Sequence, residues 1–157
     1  MIGFRSEFLT TTSGTGLIYS TFEKYGPKAA GNIGERRNGV LISMAGGKSL
    51  AYPLFNLQER GRLFIGAGTA VYEGMVIGIH ARDTDLVVNP LKAKQLTNIR
   101  ASGSDEAVVL TTPVPLTLEY ALEFIDDDEL VEVTPQSIRV RKKHLKEHER
   151  KRASRAA

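Results

Sequence analysis

From residue 38 onward the chain offers almost nothing but short apolar runs at close spacing: VLISM (40–44), SLAYPL (49–54), RLFIG (62–66), MVIGIHA (75–81), TDLVVN (84–89), AVVLTT (107–112), LVEVT (130–134) and SIRVRK (137–142). Their β-branched content and length are those of strands, and none is long enough to bury a core by itself. They must therefore pair. AGGK (45–48) between the first two runs predicts a hairpin turn, FNLQERG (55–61) a helical turn ending at Gly61, and Pro135 a junction between the last two strands. One segment has a clear helical period: in TLEYALEFI (117–125), Thr117 can cap, and Leu118, Ala121, Leu122 and Ile125 share a face. The expectation is an α+β fold of mostly antiparallel short strands with one clear amphipathic helix.

The first 38 residues have a different texture. Phe4, Phe8 and Leu9 in GFRSEFLTTT form a stripe suited to a short helix, SGTG stops it, and LIYSTFEKY (17–25) alternates like a strand. One helix and one strand cannot enclose a core, so this unit either pairs with the strands beyond residue 38 or ends a domain whose beginning lies elsewhere. GPKAAGNIGERRNG (26–39) has no period and reads as a linker.

Charge is unevenly placed. Residues 139–157 hold nine bases, Arg139, Arg141, Lys142, Lys143, Lys146, Arg150, Lys151, Arg152 and Arg155, against Glu147 and Glu149. Removing them from the totals of 21 bases and 18 acids leaves 12 bases and 16 acids in the body, so the net +3 belongs to the tail. Such a block either binds an anionic polymer or stays solvated, and HLKEHERKRASR reads as a charged, frayed helix with only Leu145 to bury. With no cysteine, disulfides and thiolate chemistry are excluded. No apolar run reaches the roughly 18 residues of a membrane span, and no signal-peptide pattern opens the chain. The expectation is a cytoplasmic protein with no membrane partner.

Several motifs have both a chemical and a plain reading. AGGKS (45–49) ends like a phosphate-binding loop, yet Ile42 stands where that motif needs its first glycine. GAGTAV (66–71) starts like a dinucleotide fingerprint but has Val71 in place of the third glycine. EFIDDDE (123–129) lacks calcium-loop spacing and reads as a solvated acidic helix end, and His144 and His148 lack a third metal ligand. His80, beside Arg82, Asp83 and Asp85, is either an acid/base group or a strand-end structural residue; no nucleophile is tied to it by spacing. No catalytic residue and no metal site is expected.

KAKQLTNIRASGS (92–104) fits neither period. With its flanks it supplies Arg82, Lys92, Lys94 and Arg100 as cations and Asn89, Gln95, Thr97, Asn98, Ser102 and Ser104 as hydrogen-bonding groups. That mixture suits a nucleic-acid backbone and its 2′-hydroxyls, while the lack of an aromatic residue argues against base stacking on this loop. The plain reading is a surface loop without a partner.

SGTGLIYSTFEKYGP, GNIGERRNGVLISM, VYEGMVIGIHARDTDLVVNPLKAKQLTNIRASGSDEAVVL and LEYALEFIDDDELVEVTPQSIRVRKKHL together resemble the C-terminal part of the TypA/BipA family of ribosome-associated translational GTPases. The resemblance covers almost the whole chain and is most specific in LTNIRASGSDEAVVL and ALEFIDDDELVEVTP. It implies that residues 1–27 are a helix-strand remnant of a ferredoxin-like domain (domain V of elongation factor G), 28–38 a linker, 39–145 the family's C-terminal domain and 146–157 a basic tail. It further implies a module for large-subunit assembly and translation under stress that presents loop 85–103 to the acceptor arm of A-site tRNA and to rRNA. The RNA-contact candidates are then Arg82, Asn89, Lys92, Lys94, Gln95, Asn98, Arg100 and Ser102, with Arg139, Arg141, Lys142 and Lys143 from the basic end. In the family's register a pair of adjacent bases precedes the QLTN-like segment; here Ala93 and Lys94 stand there, after Lys92. GTP and Mg belong to the family's N-terminal domain, whose motifs are not in this sequence, so no enzyme activity and no cofactor are expected of these residues. The alternative is a protein-interaction module with a passive loop.

Overall fold

The computed structural model describes residues 8–9, 11–27, 36–93 and 108–156. Among these lie eight strands: β1 (Val40–Ser43), β2 (Gly47–Lys48), β3 (Gly61–Leu63), β4 (Ala70–Val71), β5 (Met75–His80), β6 (Leu86–Val88), β7 (Glu129–Val133) and β8 (Ile138–Lys142). Three helices accompany them: α1 (Ala51–Gln58), α2 (Leu118–Phe124) and α3 (Glu147–Ala156). The main sheet runs β6-β1-β5-β8-β7, and β3 joins the part of β5 that β8 leaves open; β2 and β4 form a separate two-stranded ladder. The fold is α+β, and its strands are antiparallel except where β6 lies parallel to β1.

The central strand β5 is buried at every position, because both faces of the sheet are covered. Leu41, Leu54, Leu57, Leu63, Met75 and Ile77 pack on one face beneath α1, while Val40, Ile42, Val76, Ile79, Phe124 and Val140 pack on the other beneath α2. Strict alternation along β5 would send Val76 and Ile79 to opposite faces. A register shift opposite Leu41 and Ile42 adds one residue to β5, and this bulge returns both side chains to the α2 face. Gly61 sits where a side chain would collide with the Ile79 carbonyl across the ladder, so β3 can pair with β5 only without a Cβ there.

The sequence-based strand assignment fails in several informative places. SLAYPL is not the return strand of a hairpin: Ala51–Gln58 is helical, and β1 pairs instead with β5 and β6. Pro53 lies in the first turn, where a missing N–H costs nothing, and Leu54 and Leu57 supply the buried helical spacing. AVVLTT also forms no strand over its described residues; Val109 and Thr111 are instead held by the Gln58 side chain. In α2, Thr117 caps by accepting from the Tyr120 N–H, as expected, but Ala121 and Phe124 are the buried residues while Leu118 and Leu122 are exposed. Phe64, Tyr120 and Phe124 meet there as three aromatic pairs with centroids 5.2–6.2 Å apart. Leu17–Tyr25 forms no strand and has no ladder partner among the described residues, and Leu17, Tyr19, Phe22 and Tyr25 are exposed.

Beside α2 the sheet is closed by charge. Lys142 Nζ stands 2.6 Å from Asp85, 2.9 Å from Asp128 and 3.0 Å from Glu129. Glu129 also takes a two-pronged pair from Arg36 at 2.7 and 2.8 Å. The Arg36 guanidinium lies 4.5 Å over the Phe124 ring and donates to the Phe124 carbonyl. The Lys142 side chain is 2% exposed and that of Glu129 0%, so these are interior charges. Burial alone would lower the Lys142 pKa, but bonds to Asp85, Asp128 and Glu129 outweigh it and hold the ammonium above its ordinary value.

Replacing Lys142 by Met leaves the Glu129 carboxylate short of a partner in the interior, and urea unfolding should show a loss of about 3–5 kcal/mol. Asp128→Ala, at a largely exposed carboxylate, should cost no more than about 1 kcal/mol. Because the folded-state pKa of Lys142 is raised, its contribution is complete below the ordinary lysine value of 10.5 and is lost as pH rises through the raised one. Urea midpoints should therefore fall on the alkaline side of that value, with a shallower fall in Lys142→Met.

Candidate nucleic-acid interface

The described start of the 85–103 stretch, residues 85–93, is anchored to the body. Asp85 accepts from the Val40 N–H at 2.9 Å, β6 then runs alongside β1, and Asn89 turns the chain by accepting from the Leu91 N–H at 2.9 Å. Pro90 is fully buried and its carbonyl accepts from the Leu50 N–H at the start of α1. Leu91 then lies against Gly47, and Lys92 is the first side chain to stand clear. The return is fixed by the same helix: Gln58 donates to the Val109 carbonyl at 3.2 Å and accepts from the Thr111 N–H at 3.0 Å, imitating a strand pair with one amide. Helix α1 thus holds the chain at Pro90 and again at Val109–Thr111.

Between α1 and β6 lies a groove of about 670 Å³. Tyr52 and Asn56, one turn apart on α1, and Arg60, in the turn that follows the helix, form one wall, with Asn89 and Lys92 opposite and Leu57 and Val88 among its apolar lining. No carboxylate lines it among the described residues. A second concavity of about 310 Å³ has the reverse sign: Asp83, Asp85, Asp126, Asp127 and Asp128 surround the ammonium of Lys142 and the guanidinium of Arg36. No group of three or more His, Asp or Glu suited to a metal ion occurs among the described residues.

Residues 38–147 match the family model for the TypA/BipA C-terminal domain. The chain belongs to the TypA/BipA family. It is 65% identical to the large ribosomal subunit assembly factor BipA of Escherichia coli strain K12 over 99% of this chain. The proteins of the same name from Salmonella typhimurium and Haemophilus influenzae are 63% and 64% identical, again over 99% of the chain. The chain spans about a quarter of the length of these curated relatives.

On this TypA/BipA domain the sequence-predicted contact residues divide. Asn89 and Lys92 line the groove, and Arg82 is exposed in the turn before β6. Lys94, Gln95, Asn98, Arg100 and Ser102 lie outside the described residues. Arg139 and Arg141 project from β8, three strands from β6 and so roughly 14 Å away across the sheet. Arg141 Nε is 2.7 Å from Glu132 in an ion pair without hydrogen-bond alignment, and Glu132 also accepts from the Tyr72 hydroxyl at 2.5 Å. Burial first, then that hydrogen bond, pushes the Tyr72 phenol well above its usual range. Lys143 is exposed beyond the end of β8. Lys142 departs most from its expected role, since its ammonium is engaged by three carboxylates inside the fold.

The remaining motifs resolve into structure. AGGKS does lie between a strand and a helix, contrary to the predicted hairpin, but Gly47–Lys48 pairs with Ala70–Val71, and the buried Ser49 hydroxyl is engaged by Gly66 and Thr69. These residues do not fit nucleotide phosphates or their magnesium. His80 is buried, with Nδ1 2.5 Å from the Thr84 carbonyl, which makes it a brace for the turn before β6. Tyr52, Asn56 and Arg60 escape a sequence reading because the stretch from Ser49 to Leu54 looks like a strand; their spacing of four is the signal that would have found them.

Burial separates paired from available cations in a way chemistry can read. Brief acetylation of the native chain followed by peptide mass spectrometry should modify Lys92, Lys143 and Lys146 readily and leave Lys142 protected by at least about tenfold, protection that disappears in urea.

Proposed function

We propose that this TypA/BipA C-terminal module binds the ribosome by contacting RNA, presenting the 85–103 segment to A-site tRNA and large-subunit rRNA. The observation that supports it most is the groove carrying Arg60 and Lys92, with no carboxylate among its described lining residues, at the base of that segment. In a body with more acids than bases, a described groove lining with two cations and no carboxylate suits a polyanion. Relatives that are 65% identical carry the name large ribosomal subunit assembly factor, which agrees with a ribosomal partner. The work of the segment is positional: α1 fixes its two ends, and Lys92, Lys94 and Arg100 meet phosphates while Asn89, Gln95, Asn98 and Ser102 set register by hydrogen bonds. Arg82 and, from the far end of the sheet, Arg139 and Lys143 add long-range attraction. Lys142 contributes none directly, because it is internally paired. GTP hydrolysis, in this reading, belongs to the longer protein of which such a module is the ribosome-facing end, acting in large-subunit assembly and translation under stress in the cytoplasm.

Cosedimentation with ribosomes at low and high salt tests the proposal. Binding should fall steeply with salt, and Lys92→Ala/Lys94→Ala/Arg100→Ala should weaken it and flatten the logarithmic salt slope by about two to three. An unchanged affinity and slope in the triple variant would remove the segment from the interface. Persistence of the complex after ribonuclease treatment would favour a protein-interaction module instead.

A further inference from the structure

We propose that α3 is a second contact to RNA, laying Lys151, Arg152 and Arg155 along the phosphates of a double-stranded stem. The inference rests on the RNA-contact reading and adds to it a surface separate from the 85–103 segment. Sequence alone leaves this end a frayed helix, yet Glu147–Ala156 is helical and its root is tied down. Gly74, at φ +85°, meets the Leu145 backbone where any side chain would collide, and so lets the chain before α3 close on the body. Arg150 reaches back to donate to the His144 and Leu145 carbonyls, and the Lys146 carbonyl accepts from the Glu149 and Arg150 N–H groups. The helix therefore leaves the end of β8 in a set direction.

Beyond that root α3 has nothing to bury. Residues 151–155 are all exposed, and the helix holds no apolar residue larger than alanine. A short helix without a packed face is marginal by itself. Its own ionic support is Glu147 and Glu149 in the first turn, Arg155 in the last, and a Glu147–Lys151 pair at 2.5 Å. Against these, Arg155 follows Lys151 by four residues and Arg152 by three, where like charges work against the helix. Neither arginine has an ion pair among the described residues. A polyanion laid along them turns that repulsion into attraction, so helix and partner stabilise each other.

The arrangement lies within the helix and needs no neighbouring segment to complete it. At about 3.6 residues per turn, His148, Lys151, Arg152 and Arg155 share one side, while Glu149, Arg150 and Ala153 lie on the other. Each feature narrows the partner. A membrane surface requires an apolar face, which α3 lacks. A single strand is held largely by stacking its bases on aromatic rings, and α3 carries none. A duplex keeps its bases inside and presents a regular track of phosphates, which cations spread over about 10 Å of helix can follow without reading sequence.

The test uses the 157-residue chain and a fluorescein-labelled blunt RNA duplex of about 16 base pairs, the span a duplex-binding domain covers, read by anisotropy at low salt. Arg152→Gln/Arg155→Gln should weaken duplex binding roughly tenfold or more and flatten the logarithmic salt slope by about two. Arg152→Lys/Arg155→Lys, which keeps both charges, should retain the native slope. Unchanged affinity and slope in the glutamine variant overturn the α3 contact, as does a native chain that binds no duplex; ribosome cosedimentation of the Lys92/Lys94/Arg100 variant then judges the RNA reading separately. A native chain that binds the unpaired strand roughly tenfold more tightly than the duplex overturns the assignment to a double strand. Polyglutamate binding as tight as that of the duplex, with the same loss in the glutamine variant, assigns the helix to an acidic polypeptide and overturns the proposal. A second measurement does not depend on variants folding: once duplex saturates the native chain, brief acetylation of Lys151 should drop by at least about fivefold, and protection confined to Lys92 and Lys94 overturns the α3 contact while leaving the RNA reading intact.

Discussion

Glu129 is the residue on which the architecture turns. Its carboxylate has no exposure, and it is neutralised from two sides by Arg36 and Lys142. Those partners come from segments far apart in sequence: Arg36 precedes β1, Lys142 ends β8, and Asp85, which shares Lys142, leads into β6 while accepting from the Val40 N–H. A buried carboxylate cannot tolerate the loss of either cation, because desolvation of an unmatched charge outweighs any one hydrophobic contact. The approach to β1, the start of β6, the start of β7 and the end of β8 are consequently fixed against one another, and Phe124 ties α2 to the same point through its ring and carbonyl. An apolar cluster of equal volume would hold these segments together without specifying their register.

That closure positions the proposed interface at a distance. With Asp85 fixed, β6 can only run parallel to β1, and the chain must emerge at Asn89 beside the first turn of α1. Helix α1 is short and uncapped by any side chain, so its stability comes from Leu54 and Leu57 in the core rather than from its own termini. Once packed, it provides Leu50 to hold the outgoing chain at Pro90 and Gln58 to hold the returning chain at Val109–Thr111. The groove is what remains between two elements whose separation is set by the core beneath them.

Most strands were legible because β-branched runs bounded by glycine have few alternatives. Val40–Ser43, Met75–His80, Leu86–Val88 and the pair Glu129–Val133 and Ile138–Lys142 all fall within or overlap predicted runs. Ala51–Gln58 was not, since Ala-Tyr-Pro-Leu carries no polar residue to betray a helical face and Pro53 argues equally for an edge strand or a first helical turn. The buried face of α2 was misread for a related reason. Leucines at 118 and 122 look like core, yet the aromatic cluster around Phe64 draws Phe124 inward and turns the leucines out. The resemblance to the TypA/BipA family was carried by local stretches and needed no fold, and the family match over residues 38–147 agrees with it.

Charge was the least legible property, and the reason is general. Sequence gives the sign of a side chain but not whether that sign is still available after folding. Lys142 and Lys143 are neighbours in a basic run, yet alternation along β8 sends the first into a nest of carboxylates and leaves the second in solvent. Arg141 is likewise matched by Glu132, whereas Arg60 and Lys92, ordinary by local composition, meet in a groove with no carboxylate among its described lining residues. Acids at 126–129 read as a solvated helix end, but they and Asp85 absorb two of the chain's cations. The external field is therefore set less by the count of basic residues than by which of them the acidic corner has already neutralised. By that criterion Arg60 and Lys92 at the α1–β6 groove, with Arg139 and Lys143 on and beyond β8, keep positive charge that no ion pair among the described residues neutralises, whereas Lys142 and Arg141 do not.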